Sequence, residues 1–434
     1  MAGYATTNPR LSKDDLYLIL AFWMESFPDD KPSEDRLFKK VGAVLVLPND
    51  ICYTIDWSRD GVHAVARLIM THPDKLKGSK VFVSRKPCSF CTKLLVQKEV
   101  QRVFNLPIEP EYFPMKQLSK DEDKSYESEK ACVDNLFKVS PIAVTTFVPE
   151  VEDEVVNAIQ NKYKSSEEDR WVEKKDELLK RYWNQEWISE VQKYLPWGPF
   201  DEMMKSEVNK RFENMMTWIS TILVESDKRR FKQEHKGSAN TEDIKFNPTT
   251  NENKHKQAYH FMILAKFLAE RTDDPRTELG TAIIDKSMEI VGLGWNGFPR
   301  KACYGEFARA SRENEGEPDN KYPYDAEQNA LMMRNTKIID GGTLFMTKTP
   351  SDESTALFMM QGIKTVVLGE ESIEEAEMKG INHEKFSDGV KNGKFICFCL
   401  KRQTGMNENS ALSSCSTLLS AWEYFITLKV ILVN

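Results

Sequence analysis

The sequence predicts an α/β protein: two three-layer α/β/α domains joined by a helical segment. Three observations carry that expectation. Short, continuous apolar runs of strand length alternate with stretches whose apolar residues recur at helical spacing. One order of such elements occurs twice along the chain, and internal repetition on this scale decides the architecture. The chain has 434 residues, length for two or three domains of about 150 residues each, every one large enough to bury its own core.

The elements follow in order. Leu16–Phe27 sets Leu16, Leu18, Ile19, Ala21, Phe22 and Met24 at helical spacing, and Pro28 stops the helix. Val41–Pro48 is an apolar strand ended by proline, with Cys52–Asp56 as its hairpin partner. His63–Met70 reads as a buried helix, Lys80–Ser84 as a strand, the stretch from Cys91 as a helix and Val100–Pro107 as a strand. The same order returns later. Thr277–Asp285 and Met288–Gly297 form the hairpin and Asp325–Arg334 the helix, with Gly342–Pro350 the next strand. A helix over Thr355–Gln361 and a strand over Lys364–Glu370 complete it.

Landmarks make the repeat concrete. Gly42 in VGAVLV matches Gly280 in LGTAII, and His63 matches Asp325. Pro87-Cys88-x-x-Cys91 matches Pro350-Ser351-x-x-Ser354, and the separations 63 to 88 and 325 to 351 are 25 and 26 residues. Between the halves, Glu167–Trp183 and Phe212–Glu225 carry apolar and aromatic residues at helical period among alternating charges, as in a solvated helix pair. His235–Lys256 is polar and turn-rich, so it reads as a linker, and Phe298–Tyr322 as a loop without counterpart in the first half. The expected division is therefore 1–149, a helical insert and linker over 150–247, 248–400, and a tail of no assigned structure over 401–434.

Composition narrows the partners. Hydrophobic residues make up 40% and charged ones 29%, the range of a globular chain. Lysine plus arginine number 60 against 67 acids, a net charge of −7, which argues against polymeric nucleic acid as main partner. No apolar run reaches the roughly 18 residues of a membrane span, and no secretory signal opens the chain. Eight cysteines scattered over this length do not make a disulfide scaffold, so a reducing compartment, cytoplasm or nucleus, is expected.

With only six histidines and eight cysteines, metal-binding groupings are few. His63 followed by Cys88-Ser89-Phe90-Cys91 offers one imidazole and two thiols. Three soft ligands suit a tetrahedral zinc with water in the fourth position. Two cysteines at a helix start face one point, and the helix dipole favours their thiolates. The alternative is a pair of buried thiols beside a chance histidine.

The pattern H-x-E followed by P-C-x-x-C is the zinc-deaminase signature, and both halves resemble cytidine and deoxycytidylate deaminases. DPRTELGTAIID, GWNGFPRKAC and AEQNAL liken the second half to the deoxycytidylate type. The tandem arrangement, with LYLILAFWMESFP and SRKPCSFC, is similar to the cytidine and dCMP deaminase domain-containing protein 1 family, over nearly all of the chain to about Phe398. That resemblance implies two cytidine-deaminase-like domains, the first degenerate, the second acting on free deoxycytidine nucleotides by zinc-dependent hydrolysis of cytosine to uracil. It also implies a homo-oligomer.

Each half lacks part of what the reaction needs. The first has His63, Cys88 and Cys91, but Val65 stands where a glutamate should shuttle protons. The second keeps that glutamate as Glu327, yet Asp325, Ser351 and Ser354 replace all three ligands. Asp325 with Asp352 and Glu353 does not supply the six oxygens magnesium needs. By resemblance Asn296 hydrogen-bonds the sugar, and Arg276, Thr277, Arg300 and Asn329 are further substrate-binding candidates. Their plain alternatives are an Asn-Gly turn, surface charges, caps and a solvated asparagine. Three functions follow: a zinc-binding pseudoenzyme with a nucleotide pocket, an active dCMP or dCTP deaminase with an unusual metal site, or a non-catalytic interaction scaffold built on the charged middle segment.

Overall fold

The computed structural model describes residues 9–29, 39–112, 120–163, 168–195, 201–226, 229–234, 246–272, 278–298, 324–369 and 383–402. The chain separates into two compact units, Met1–Glu225 and Ser226–Asn434.

In the first unit, β1 (Gly42–Val46), β2 (Cys52–Trp57), β3 (Lys80–Val83), β4 (Arg102–Asn105) and β5 (Ala143–Thr146) form a sheet in the order β2-β1-β3-β4-β5. β1 runs antiparallel to β2 and β3, while β3, β4 and β5 are mutually parallel. β1 is buried along its whole length, which explains its unbroken apolar run. α1 (Lys13–Glu25) covers one face; its first turn is capped by Ser12, whose Oγ accepts from the Asp15 N–H. The opposite face packs on α2 (Ala64–Thr71), α3 (Ser89–Gln97) and α4 (Lys120–Val139), with Ala43, Leu45, Val65, Leu68, Leu95 and Val133 in one core. α5 (Asp153–Tyr163), α6 (Glu168–Tyr182), α7 (Gln185–Tyr194) and α8 (Glu202–Ser226), the insert of the sequence reading, lie within this unit but for the last residue of α8.

The second unit contains β6 (Arg229–Gln233), α9 (Glu252–Ala269), β7 (Gly280–Ile284), β8 (Ile290–Trp295), α10 (Ala326–Met332) and β9 (Thr343–Met346). α11 (Asp352–Met360), β10 (Thr365–Leu368), a helix we number α12 (Glu384–Lys391) and β11 (Ile396–Arg402) follow. The sheet order is β6-β11-β10-β9-β7-β8, so the five strands β8-β7-β9-β10-β11 match the order of the first sheet, and β6 adds an antiparallel edge. α9 takes the place of α1, and Ile283, Ala330, Leu344, Phe358 and Phe386 form the core on the other face.

The equivalence extends to atoms. Gly42 pairs with Trp57 and Gly280 with Trp295. A Cβ on Gly42 would lie 2.0 Å from the Ala21 carbonyl oxygen, and one on Gly280 1.8 Å from that of Ala265. Only glycine lets the covering helix come so close. The Gly42 N–H donates to Ser84 Oγ and the Gly280 N–H to Thr347 Oγ1, each at 3.1 Å.

Several elements depart from the sequence expectation. The segment read as a linker, His235–Lys256, ends inside α9, which starts at Glu252 with Asn251 Oδ1 capping the Lys254 N–H. α9 is buried on nearly every side, so its apolar residues show no one-sided period. β6 lies in the stretch expected to be helix and linker; its RRFKQ sequence is that of a charged edge strand, not of an apolar one. β5 is half-buried, and β11 is an apolar strand entered through the Asn392-Gly393 turn; neither is among the strands expected from the sequence. Among the described residues no helix is long and apolar enough to cross a membrane.

Candidate metal centre

In the first unit two helix N-termini meet. His63 is the residue before α2, Cys88 the residue before α3, and Cys91 lies in the first turn of α3. His63 Nδ1 is 3.3 Å from Cys88 Sγ and 3.4 Å from Cys91 Sγ. A fourth donor, absent from the sequence reading, joins them: Glu111, with Oε1 at 3.0 Å from His63 Nδ1. The four ligand atoms lie within 4.8 Å of one another, and the described residues hold no second group of this kind.

Glu111 belongs to the chain beyond β4 and is tied down by its backbone. Its N–H donates to the Lys86 carbonyl at 2.9 Å, and its own carbonyl accepts from the Lys39 N–H at 3.3 Å. Oε2 accepts from the Cys88 N–H at 3.0 Å. Buried Oε1 meets the His63 ring at that 3.0 Å and, among the described residues, shows no backbone donor like the one that holds Oε2.

The three side chains and Glu111 are close enough to share protons through hydrogen bonds. Hydrogen bonds to Cys88 and Glu111 push His63 up to about 10 against the opposing effect of burial. The hydrogen bond with Cys91, aided by His63, draws the Cys88 thiol down to about 7. Cys91 is raised, by that same bond and by burial. A tetrahedral zinc, with Zn–N about 2.0 Å and Zn–S about 2.3 Å, sets its ligand atoms about 3.3–3.8 Å apart. The observed 3.0–3.4 Å approaches this spacing, so the residues fit a metal ion. Val65, two residues beyond His63, is 1% exposed and packs in the apolar core, where no proton can be held.

The equivalent place in the second unit is built differently. Asp325 precedes α10 and Ser351 precedes α11. Asp325 Oδ2 accepts from both Ser351 Oγ and Ser354 Oγ at 2.9 Å, and Gln328 Nε2 donates to Ser354 Oγ at 3.1 Å. Gln328 also accepts from the Asp325 N–H, completing a capping box. The three positions that carry metal donors in the first unit are here joined to one another by hydrogen bonds. Asp352, the neighbouring acid, accepts instead from the Lys385 N–H at 2.8 Å.

Glu327 follows on α10 and is 1% exposed. Among the described residues neither of its carboxyl oxygens has a hydrogen-bond partner. Burial, reinforced by the Asp325 charge, raises its pKa to about 8, so the group is protonated at neutral pH.

The substrate-binding candidates divide. Asn296 Oδ1 accepts from the Leu279 N–H at 2.8 Å. Ser58 Oγ accepts from the Val41 N–H at 3.2 Å at the equivalent point of the first sheet, so this bond of Asn296 belongs to the shared scaffold. Asn329 Nδ2 donates to the Trp295 carbonyl at 3.0 Å, which brings its helix to the same end of β8. Arg276, Thr277 and Arg300 lie outside the described residues.

The two units thus share one sheet order and carry their site residues at the N-termini of paired helices. No protein-family model matches the chain. Human deoxycytidylate deaminase is 32% identical over 145 residues, 33% of this chain and 81% of that protein. By this match the chain belongs to the deoxycytidylate deaminase family. Over a longer span, the cytidine and dCMP deaminase domain-containing protein 1 of Danio rerio is 24% identical over 398 residues, 83% of this chain and 84% of that one. The dCMP deaminase of cyanophage S-TIM5, solved with dCMP and dUMP, is 26% identical over 30% of this chain and 90% of its own, with a TM-score of 0.23, and the grouping does not rest on it.

Proposed function

We propose that this chain is a catalytically silent deaminase of tandem construction: the first copy binds zinc, and the second keeps a pocket for deoxycytidine nucleotides without the metal. The observation that carries the reading is the closed cluster in which Asp325 accepts from both Ser351 and Ser354. Donors satisfied by each other are not offered to a cation, and neutral hydroxyls are poor zinc ligands.

Zinc in a deaminase site lowers the pKa of a bound water from about 16 to near 7, worth on the order of 12 kcal/mol in hydroxide at neutral pH. His63, Cys88 and Cys91 would hold it in the first unit. Val65 neither takes nor gives a proton there, a loss worth about 10²- to 10⁴-fold in rate. In the second unit Glu327 can hold a proton at neutral pH, and its carboxyl both donates and accepts, the pattern needed by an amino-pyrimidine edge. The base class follows the activity named for the relatives. Asn296 and Asn329 flank the same strand end and are our candidates for orienting the nucleotide, with Arg276, Thr277 and Arg300 for the phosphate.

The retained, buried Glu327 favours one rival, an active deaminase with an unusual metal arrangement. Metal analysis and ammonia release from dCMP and dCTP on the purified full chain decide between them. The expected result is about one zinc per chain, nucleotide binding weakened by E327Q, and no ammonia. Turnover that E327Q abolishes would contradict the proposal; absence of nucleotide binding would leave the chain as a scaffold.

A further inference from the structure

We infer that Glu111 is the fourth ligand of the metal in the first unit and closes its coordination, leaving no position for water or substrate. This rests on the proposal that the first unit binds zinc. It makes that zinc a structural ion by construction, independently of the missing proton shuttle.

Four features point to it. Glu111 Oε1 shares the point on which His63, Cys88 and Cys91 converge, with all four ligand atoms inside 4.8 Å. The side chain is 1% exposed, so the carboxylate is not held there by solvent. Its two oxygens are treated differently by the fold: Oε2 is fixed by the Cys88 N–H, whereas Oε1 lies inside the cluster, 3.0 Å from His63 Nδ1. That is the arrangement of a ligating carboxylate whose second oxygen is held by the outer shell. Lastly, backbone hydrogen bonds on both sides of Glu111, to Lys86 and Lys39, fix its approach.

Catalytic zinc sites keep three protein ligands and an exchangeable position, whereas structural sites are filled by four. The rival role for Glu111 is that of a counter-ion to a protonated His63, without a bond to the metal. An exchangeable position tells the two apart.

The test uses the full chain loaded with cobalt(II), whose visible ligand-field bands report coordination, and azide as the probe. The expected wild-type spectrum does not change with azide. In E111A it does, because a position has opened, and zinc affinity measured against a chromophoric chelator falls by at least about tenfold. An azide response in the wild type overturns the inference while leaving metal binding intact, and it needs no variant to fold. Zinc affinity unchanged in E111Q overturns it also. A chain that takes up neither cobalt nor zinc overturns this inference and the zinc reading together, whereas ammonia release with an azide-silent cobalt spectrum contradicts only the catalytic silence.

Discussion

The two sites occupy equivalent points of two sheets, and each has kept what the other lost. His63, Cys88 and Cys91 stand in the first where Asp325, Ser351 and Ser354 stand in the second, and Val65 stands in the first where Glu327 stands in the second. The scaffold accepts both solutions for one reason. Both sites are assembled on helix N-termini, whose exposed N–H groups and positive dipole end favour thiolates and an aspartate alike. In the first unit two thiols, an imidazole and a carboxyl converge on one point; in the second a single aspartate accepts hydrogen bonds from two hydroxyls and belongs to a capping box. At the equivalent positions of the second unit the carboxyl and hydroxyl groups are hydrogen-bonded to one another, so their polar atoms are satisfied without a cation.

The largest effect should come from removing the soft donors. C88S with C91S is expected to reduce bound zinc to background, read by elemental analysis, because no other group of metal donors exists among the described residues. The reverse experiment sharpens the comparison. D325H, S351C and S354C together should raise the metal content by about one ion per chain. With Glu327 already in place, this variant should release ammonia from dCMP. Failure to bind a second metal would mean that more than these three positions separates the halves.

A smaller effect concerns pH. Glu327 has its pKa raised from 4.5 to about 8 in the folded chain, so the folded state binds the proton more tightly. Its contribution to stability is full below pH 4.5 and is lost as pH rises through 8, a change on the order of 5 kcal/mol. E327Q should flatten that dependence in urea unfolding followed between pH 5 and 9. A wild-type unit whose stability holds constant over that range would contradict the protonated state. Smaller again, D325A removes the acceptor of two hydroxyls and an N-cap, and should destabilise the second unit by about 2–3 kcal/mol. The same measurement at fixed pH checks it.

Much of this was legible in the residues because it rests on local pattern. The buried strand at Val41–Val46, the two hairpins and the helices beginning after His63 and Asp325 have strong periodic or continuous apolar signatures. His63, Cys88 and Cys91 were found from spacing, and the structure brings their donor atoms together. α9 is hard to read because its first turns, ENKHKQ, are polar and continue the turn-rich stretch before it, whereas α1, its counterpart in the first unit and just as buried, is apolar from Leu16 and closed by Pro28. β6 is polar and becomes a strand only by pairing with β11 at a sheet edge. Glu111 has no sequence spacing that links it to His63; the Pro-flanked acid in LPIEPEY is brought there by the chain's path after β4. Tertiary contacts of this sort are invisible to motif reading. Likewise the scaffold hydrogen bond of Asn296 emerges only when its register is compared with that of Ser58.

The central claim is that metal and glutamate reside in different halves. A crystal of the zinc-loaded chain, measured across the zinc absorption edge, tests it most directly. The account predicts one anomalous peak, bounded by His63, Cys88, Cys91 and Glu111, and none beside Asp325, Ser351 and Ser354. A peak within reach of Glu327 would contradict it.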